Sequence, residues 1–285
     1  MPFLAIPNIS TGAPGTALSA AVTAVEGARG RLLDVHSDKT HNRSVLTVTA
    51  ADDALIDAMV ALAVACKTID LRSHEGVHPR VGCLDVCPFV PQEASLERAI
   101  ELAHEAGTKI ASAVDAPVFF YGAASLRPET RELPDIRRGD LDGLVQRIDA
   151  GFTPDRGPAR IDPSYGAVLV GARGPLIAFN VWLGSDLATA RAIASKVREP
   201  HRIRALGLEM GDGRCQVSMN LVAPDQVGID DAFERVDRIA STSGAEVIAT
   251  EIVGLVEQRF LPKPDAKAAR LFIEPGRSLE SALND

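Results

Sequence analysis

Cys215-Gln216-Val217-Ser218-Met219-Asn220-Leu221 alternates apolar and polar residues without a break. Successive side chains of a strand point to opposite faces. Cys215, Val217, Met219 and Leu221 therefore share one face, and Gln216, Ser218 and Asn220 the other. The stretch reads as a strand in a sheet with one apolar and one wet face. Upstream, residues 176–182 and 201–206 also read as strands. Between them Leu187, Ala190, Ala194 and Val197 fall on one helical face after Asp186. Downstream, Ile229, Phe233, Val236 and Ile239 repeat the helical spacing, and a strand over 247–253 follows. The order across this half is β-α-β-β-α-β.

The first half opens in the same order. Strands are predicted over 3–6, 31–35, 44–49 and near 84–89. A weak helical stripe runs Leu18, Ala21, Val22, Val25. A stronger one runs Leu55, Ile56, Met59, Leu62, Ala63, Cys66, after Asp52-Asp53, which can cap or favour a helix start. A further stripe of Leu96, Ala99, Ile100, Ala103 and Ile110 follows Ser95 and leads to a strand over 117–121. The pattern predicts an α+β fold of two split-βαβ units, each an antiparallel sheet with helices on one face. Between the halves, residues 127–174 hold Pro128, Pro134, Pro154, Pro158 and Pro163 and show no strong periodicity. Irregular chain of that length more often carries function than merely connects. The tail beyond Pro262 is charged and is expected to be partly docked or disordered.

Bulk composition excludes several functions. Apolar residues make up 46% and charged residues 24% of the 285, ordinary values for a soluble protein of one large or two smaller domains. A net charge of −8 argues against nucleic acid as partner, because phosphate backbones need clustered cations. No segment approaches ~18 uninterrupted apolar residues, so no membrane span is expected. The first residues lack the basic region of a secretory signal. Cys66, Cys83, Cys87 and Cys215 match no zinc spacing. A cytoplasmic setting with free thiols is the simplest expectation.

Three polar stretches could carry chemistry. His74-Glu75-Gly76-Val77-His78 matches the H-E-x-x-H zinc-hydrolase pattern, which needs a helix to bring both imidazoles to one metal. Gly76 lies inside it and Pro79 follows directly, and proline disfavours helix for the residue before it. The stretch reads better as a loop, Arg72 to Gly82, and no metal is expected. Asp34-Val35-His36-Ser37-Asp38-Lys39-Thr40-His41-Asn42-Arg43 joins two predicted strands. Gly157-Pro158-Ala159-Arg160-Ile161-Asp162-Pro163-Ser164-Tyr165-Gly166 has its backbone fixed by Gly and Pro, and Tyr165 offers a flat face for a ring. On composition alone the first two stretches read rather as a solvated turn and a polar hairpin connection, and the third can be an ordinary linker.

Several runs together resemble the formiminotransferase (glutamate formimidoyltransferase) family. They are Thr40-His41-Asn42-Arg43-Ser44-Val45, then His78-Pro79-Arg80-Val81-Gly82-Cys83-Leu84-Asp85-Val86-Cys87-Pro88-Phe89-Val90-Pro91, then Gly171-Ala172-Arg173 with Leu176-Ile177-Ala178-Phe179-Asn180. Val118-Phe119-Phe120-Tyr121-Gly122, Gln216-Val217-Ser218 and Glu251-Ile252-Val253-Gly254-Leu255-Val256 support them. The matches run in order from Pro7-Asn8 to Val256.

The resemblance implies transfer of a formimino group from N-formimino-L-glutamate to N5 of tetrahydrofolate, a co-substrate. It implies two tandem ferredoxin-like (βαββαβ) subdomains with a ligand tunnel between them, over residues 1–173 and 174–262, a tail over 263–285, and a homodimer. The family's catalytic histidine falls on His78 and its folate-binding loop on residues 157–166. Arg80 and Arg43 become candidates for a substrate carboxylate, which a guanidinium can grip in a fork. Asp34 or Asp85 would orient His78 or a cationic nitrogen, and Asn42, Arg173 and Asn180 would line the substrate site. The family has Glu where this chain has Val77, and further acids where it has Leu4 and Thr11. These departures imply a changed donor, or a folate-binding relative without turnover. A metal-dependent hydrolase using His74 and His78 is the third alternative.

Overall fold

The computed structural model describes residues 3–285, which divide into two units at Gly174 and Pro175. In the first unit, β1 (Phe3–Ala5) and β2 (Asn8–Ile9) are two pieces of one line of chain. The ladder breaks at Pro7, which has no N–H to give it. Then follow α1 (Thr16–Gly27), β3 (Arg31–Asp38), β4 (Arg43–Thr49), α2 (Asp52–Ala65) and β5 (Leu84–Pro91). These strands lie in the antiparallel order β3, β4, β1/β2, β5. The chain continues through α3 (Leu96–Val114), β6 (Val118–Gly122), α4 (Leu133–Ile136), α5 (Asp140–Asp149) and β7 (Val168–Ala172).

Here two expectations need correction. Residues 127–174 are not an irregular link. They contain α4, α5 and β7, and β7 inserts between β5 and β6, parallel to both. The first sheet is accordingly mixed, and its β5–β7–β6 end is covered on both faces. One face packs against α1, α2 and α3 through residues such as Val25, Leu55, Met59, Leu102, Ile110, Cys87, Phe89 and Phe120. On the other, Val86, Phe119, Tyr121 and Leu169 pack against Ile136, Leu144 and Ile148 of α4 and α5. A parallel pair needs a long crossover, and α4 and α5 form it. The Asp52-Asp53 pair acts on the dipole of α2 rather than as a cap, because Ala51 is the capping residue and accepts no side-chain bond. At α3, Ser95 Oγ does accept the Arg98 N–H at 3.2 Å.

The second unit comprises β8 (Ile177–Gly184), α6 (Leu187–Val197), β9 (Ile203–Glu209), β10 (Cys215–Leu221), α7 (Ile229–Thr242) and β11 (Glu246–Val253), followed by α8 (Lys267–Arg270) and α9 (Leu279–Asn284). The sheet is antiparallel throughout, in the order β11, β8, β10, β9. The alternation of β10 is realised: Val217, Met219 and Leu221 pack with Ile193, Phe233 and Val236 of the helices. The face read as wet is less so, since Gln216 and Asn180 on it are buried. The tail packs on this unit. Ala268, Leu279 and Ala282 are buried, and Thr250 Oγ1 donates to the Ala268 carbonyl at 2.8 Å. Among the described residues no helix is long and apolar enough to cross a membrane. All four cysteines are free and buried.

Candidate functional site

The turn from β3 to β4 and the loop before β5 are tied together residue by residue. Asp38 Oδ1 accepts the N–H groups of Thr40 and His41, each at 2.7 Å, which closes the turn as aspartate does in such motifs. Asn42 takes a left-handed backbone (φ 47°) and bridges two neighbours. Its Oδ1 accepts the Gly12 N–H at 2.9 Å, and its Nδ2 donates to the Glu75 carbonyl at 2.8 Å. The Val77 N–H donates to the Thr40 carbonyl at 3.1 Å. The loop carrying His78 is thus laid over the turn carrying Arg43.

His78 is half-buried, and its Nδ1 has two neighbours with opposite demands. The Pro79 carbonyl, 2.8 Å away, only accepts, and Arg43 Nη1, 3.1 Å away, only donates. The carbonyl is nearer, and Arg43 Nη1 has Asp85 Oδ2 to donate to at 2.9 Å. We therefore place the ring hydrogen on Nδ1, which leaves the lone pair on Nε2. Burial first, then the Arg43 and Arg137 cations, hold His78 well below the usual imidazole range, against the opposing pull of the Pro79 carbonyl. The His41 ring stands 5.8 Å from it, centroid to centroid.

Asp85, at the start of β5, anchors the cluster. It is 1% exposed. Its Oδ1 accepts the Val81 N–H at 2.8 Å, and its Oδ2 is shared by Arg43 and Arg137. One carboxylate thus faces two guanidinium groups. Arg43 is further fixed through Nε, which donates to Asn8 Oδ1 at 2.9 Å. Burial pushes the Arg43 guanidinium down to about 10, with Asp85 opposing. It remains a cation at neutral pH. Asp85 does not touch His78, and its influence passes through Arg43.

His74 and Arg80 form a second, structural pair. Arg80 Nη1 donates to His74 Nδ1 at 2.6 Å, so the His74 hydrogen sits on Nε2, which donates to the Asn42 carbonyl at 3.0 Å. Burial and the Arg80 cation keep this ring below its usual range. Arg80 Nη2 donates to the carbonyls of His41 and His78 at 3.0 and 2.6 Å. Both terminal nitrogens of Arg80 are committed to the loop, so it braces the loop rather than offering a fork to a substrate carboxylate. The helix that an H-E-x-x-H zinc site needs is not formed, and the stretch is the loop that its Gly and Pro predict. Both His74 nitrogens are engaged. Among the described residues no group of His, Cys, Asp and Glu is arranged to hold a metal ion.

Of the residues expected at the site, His78, Arg43, Asn42, Asp85 and Arg80 come together. Asp34 does not: it sits in β3 opposite Thr47, four residues before Asp38, or about 13 Å along the strand. Arg173 follows β7 at its far end, where its N–H donates to the Phe89 carbonyl at 3.1 Å. The loop over 157–166 adjoins the cluster at one end only. Gly166 bridges to Gly82, and the Ala167 N–H donates to the Val81 carbonyl at 2.8 Å. Tyr165 offers no flat face. Its ring is buried in the first core and its hydroxyl donates to the Ala63 carbonyl at 2.9 Å. Arg160 pairs with Asp115 at the surface, 2.6 Å apart. Asp162 Oδ1 accepts the Ser164 N–H at 2.9 Å. Asn180 belongs to the second unit, where its Nδ2 donates to Glu251 Oε2 at 3.0 Å beside buried Gln216.

Arg137 and Asn8 had not been expected here. Arg137 follows α4, inside the segment read as a link. The spacing of Leu141, Leu144, Val145 and Ile148 carries a helical stripe that would have flagged the region.

The junction of loop and strand leaves no room at Gly82. A Cβ there would lie 1.9 Å from the Ala167 carbonyl oxygen, a backbone atom that cannot swing away. Gly82→Ala is expected to destabilise the first unit by roughly 1–3 kcal/mol, the usual cost of overpacking. The urea midpoint of the variant reads it, and an unchanged midpoint would refute the close approach.

The model of the formiminotransferase domain, N-terminal subdomain, matches residues 3–173, and that of the formiminotransferase domain matches residues 178–280. Glutamate formimidoyltransferase of Streptococcus pyogenes serotype M1 is 34% identical over 266 residues, 90% of this chain and 89% of that protein. Glutamate formimidoyltransferase of Thermoplasma acidophilum is 35% identical over 242 residues, 81% of this chain and 80% of that protein. Formimidoyltransferase-cyclodeaminase of Dictyostelium discoideum is 36% identical over 266 residues, 88% of this chain and 50% of that protein. The chain therefore spans half the length of that relative.

Proposed function

Since the chain belongs to the formiminotransferase family, we propose that it moves a formimino group from N-formimino-L-glutamate to N5 of tetrahydrofolate, with His78 carrying the proton. The observation that carries this reading is the 2.8 Å contact of His78 Nδ1 with the Pro79 carbonyl, which holds the ring hydrogen on Nδ1 and leaves Nε2 as the basic nitrogen. N5 attacks the amidine-type carbon and a tetrahedral intermediate forms. Nε2 takes the N5 proton and returns it to the glutamate nitrogen as the bond from that nitrogen to carbon breaks. A neutral histidine can do both, provided it is not already protonated.

The same reading takes both units as ferredoxin-like subdomains, supported by the strand order β5, β1/β2, β4, β3 in the first and β11, β8, β10, β9 in the second. It gives the folate to the loop over 157–166, supported by the bridge from Gly166 to Gly82, four residues beyond His78. It keeps Asn42, Arg43 and Asp85 as the groups that shape the site, and a homodimer in the cytoplasm as the working form. Val77, 38% exposed beside His78, stands where the family has an acid, so the amino-acid donor is the first variable to test.

The decisive assay supplies tetrahydrofolate and N-formimino-L-glutamate to the wild-type protein and measures formimino-tetrahydrofolate. Product supports the transfer. Tight tetrahydrofolate binding with no product would replace this reading by that of a folate-binding relative with another donor or no turnover. The pH dependence follows from the direction of the His78 shift. The ring must be neutral to accept a proton, and its burial beside two cations lowers the pH at which it charges. The rate constant kcat/KM is therefore expected to stay flat as pH falls through about 6.5, the ordinary imidazole value, and to drop only below it. A limb centred at or above that value would contradict a depressed histidine as the base.

A further inference from the structure

We propose that Arg137 is a positioning residue for His78: by sharing Asp85 with Arg43 it leaves a net positive charge beside the ring, and this holds His78 neutral at rest. The proposal deepens the role given to His78 above, but its main test needs no substrate. Asp85 Oδ2 accepts from both Arg43 Nη1 and Arg137 Nη2, and its Oδ1 takes the Val81 N–H. If Arg43 alone faced Asp85, the pair would be neutral where it meets the ring. Arg137 turns that pair into a cationic triad, with Arg43 Nη1 3.1 Å from His78 Nδ1. Both guanidinium groups are largely enclosed, at 14% and 10% side-chain exposure, so solvent screens them weakly.

The other charged and titratable groups around His78 do not cancel this charge. Arg80 adds a cation from the same loop, with Nη2 on the His78 carbonyl at 2.6 Å. Asp140 acts on Arg80 from the start of α5. His41 stands 5.8 Å away, ring to ring, and His74 accepts from Arg80. Glu75 is exposed. The triad therefore sets a consistent direction. At rest it disfavours the imidazolium. Once the ring has taken the N5 proton, the same charge makes it a stronger acid than an ordinary imidazolium, which favours return of the proton to the leaving nitrogen. Arg137 touches neither the ring nor a substrate atom in this scheme.

The test is a pH titration of the His78 ring by NMR in the folded, substrate-free protein, assigned by comparison with His78→Gln. The wild-type midpoint should lie below about 6.5, the ordinary value. Arg137→Gln removes the second cation and leaves the Asp85–Arg43 pair in place. Its midpoint should rise by about one pH unit, the size expected for losing one nearby, weakly screened charge. Arg137→Lys keeps the charge and should leave the midpoint within a few tenths of the wild type. The acid limb of kcat/KM should track the midpoint, shifting upward in Arg137→Gln and staying in place in Arg137→Lys, a split that a purely structural role would not produce. A Gln midpoint equal to the wild type, or a Lys midpoint that rises as far as the Gln one, would overturn the proposal. So would a wild-type midpoint at or above about 6.5, which requires no variant to fold.

Discussion

His78→Ala is expected to lower kcat for formimino transfer by about 10²–10⁴-fold, the usual contribution of a positioned proton carrier. The loss should fall on kcat rather than on tetrahydrofolate binding, because the ring serves the transition state and not the ground state. The loop should survive the change. Its bonds to the turn run through the Val77 N–H, the Asn42 and His74 side chains and Arg80, none of which needs the His78 ring. The far-ultraviolet circular dichroism of the variant should therefore match the wild type. Alanine also removes the Nδ1 contact to Arg43, but that arginine keeps Asn8 and Asp85. Single-turnover kinetics with saturating substrates would read the chemical step directly. A loss smaller than about tenfold, with the fold intact, would take His78 out of the proton-transfer role and leave it as a bracing residue.

The contrast between His78 and Arg137 shows which parts of this protein can be read in advance. The strands and helices that depend on local pattern are legible. Val217, Met219 and Leu221 alternate because β10 has one face on the helices, and Leu55, Met59 and Leu62 recur because α2 buries one side. His78 is legible through its motif, and the turn from Asp38 to Arg43 through its composition. β7 is not legible in the same way. Val168-Leu169-Val170-Gly171-Ala172 has no alternation, because a parallel strand covered on both faces is apolar throughout. Lying behind a Pro-rich stretch, it merges with the link. The Arg137–Asp85 contact joins residues 52 apart through a helix of four residues, too short to announce itself by periodicity. Tyr165 illustrates the opposite error. An aromatic among glycines and prolines resembles a ligand platform, yet the chain folds its ring inward and satisfies the hydroxyl on the Ala63 carbonyl. Composition describes the loop but not the direction of its side chains.

Asp85→Asn is expected to destabilise the first unit by roughly 3–5 kcal/mol, the cost of removing one partner from a buried ion pair. Asparagine keeps the volume but not the charge, and it replaces one acceptor with a donor. In one orientation its amide faces the Val81 N–H, and in the other it faces the two guanidinium groups. Both arrangements set donor against donor, and both leave Arg43 and Arg137 enclosed without a counter-charge. A loss of that size is a large part of a domain's usual stability of about 5–15 kcal/mol. The protein's one tryptophan, Trp182, lies in β8 of the second unit, so its fluorescence is the wrong reporter. Hydrogen exchange of the β5 amides reads the first unit directly, and their protection should fall in the variant. If the cost arises from two unpaired cations, combining Asp85→Asn with Arg137→Gln should cost less than the sum of the single changes, because the second removes one of the stranded charges. Strict additivity, or a single-variant loss under about 1 kcal/mol, would mean that water or a neighbouring group already satisfies the arginines. The charge that faces His78 would then not be set by this carboxylate.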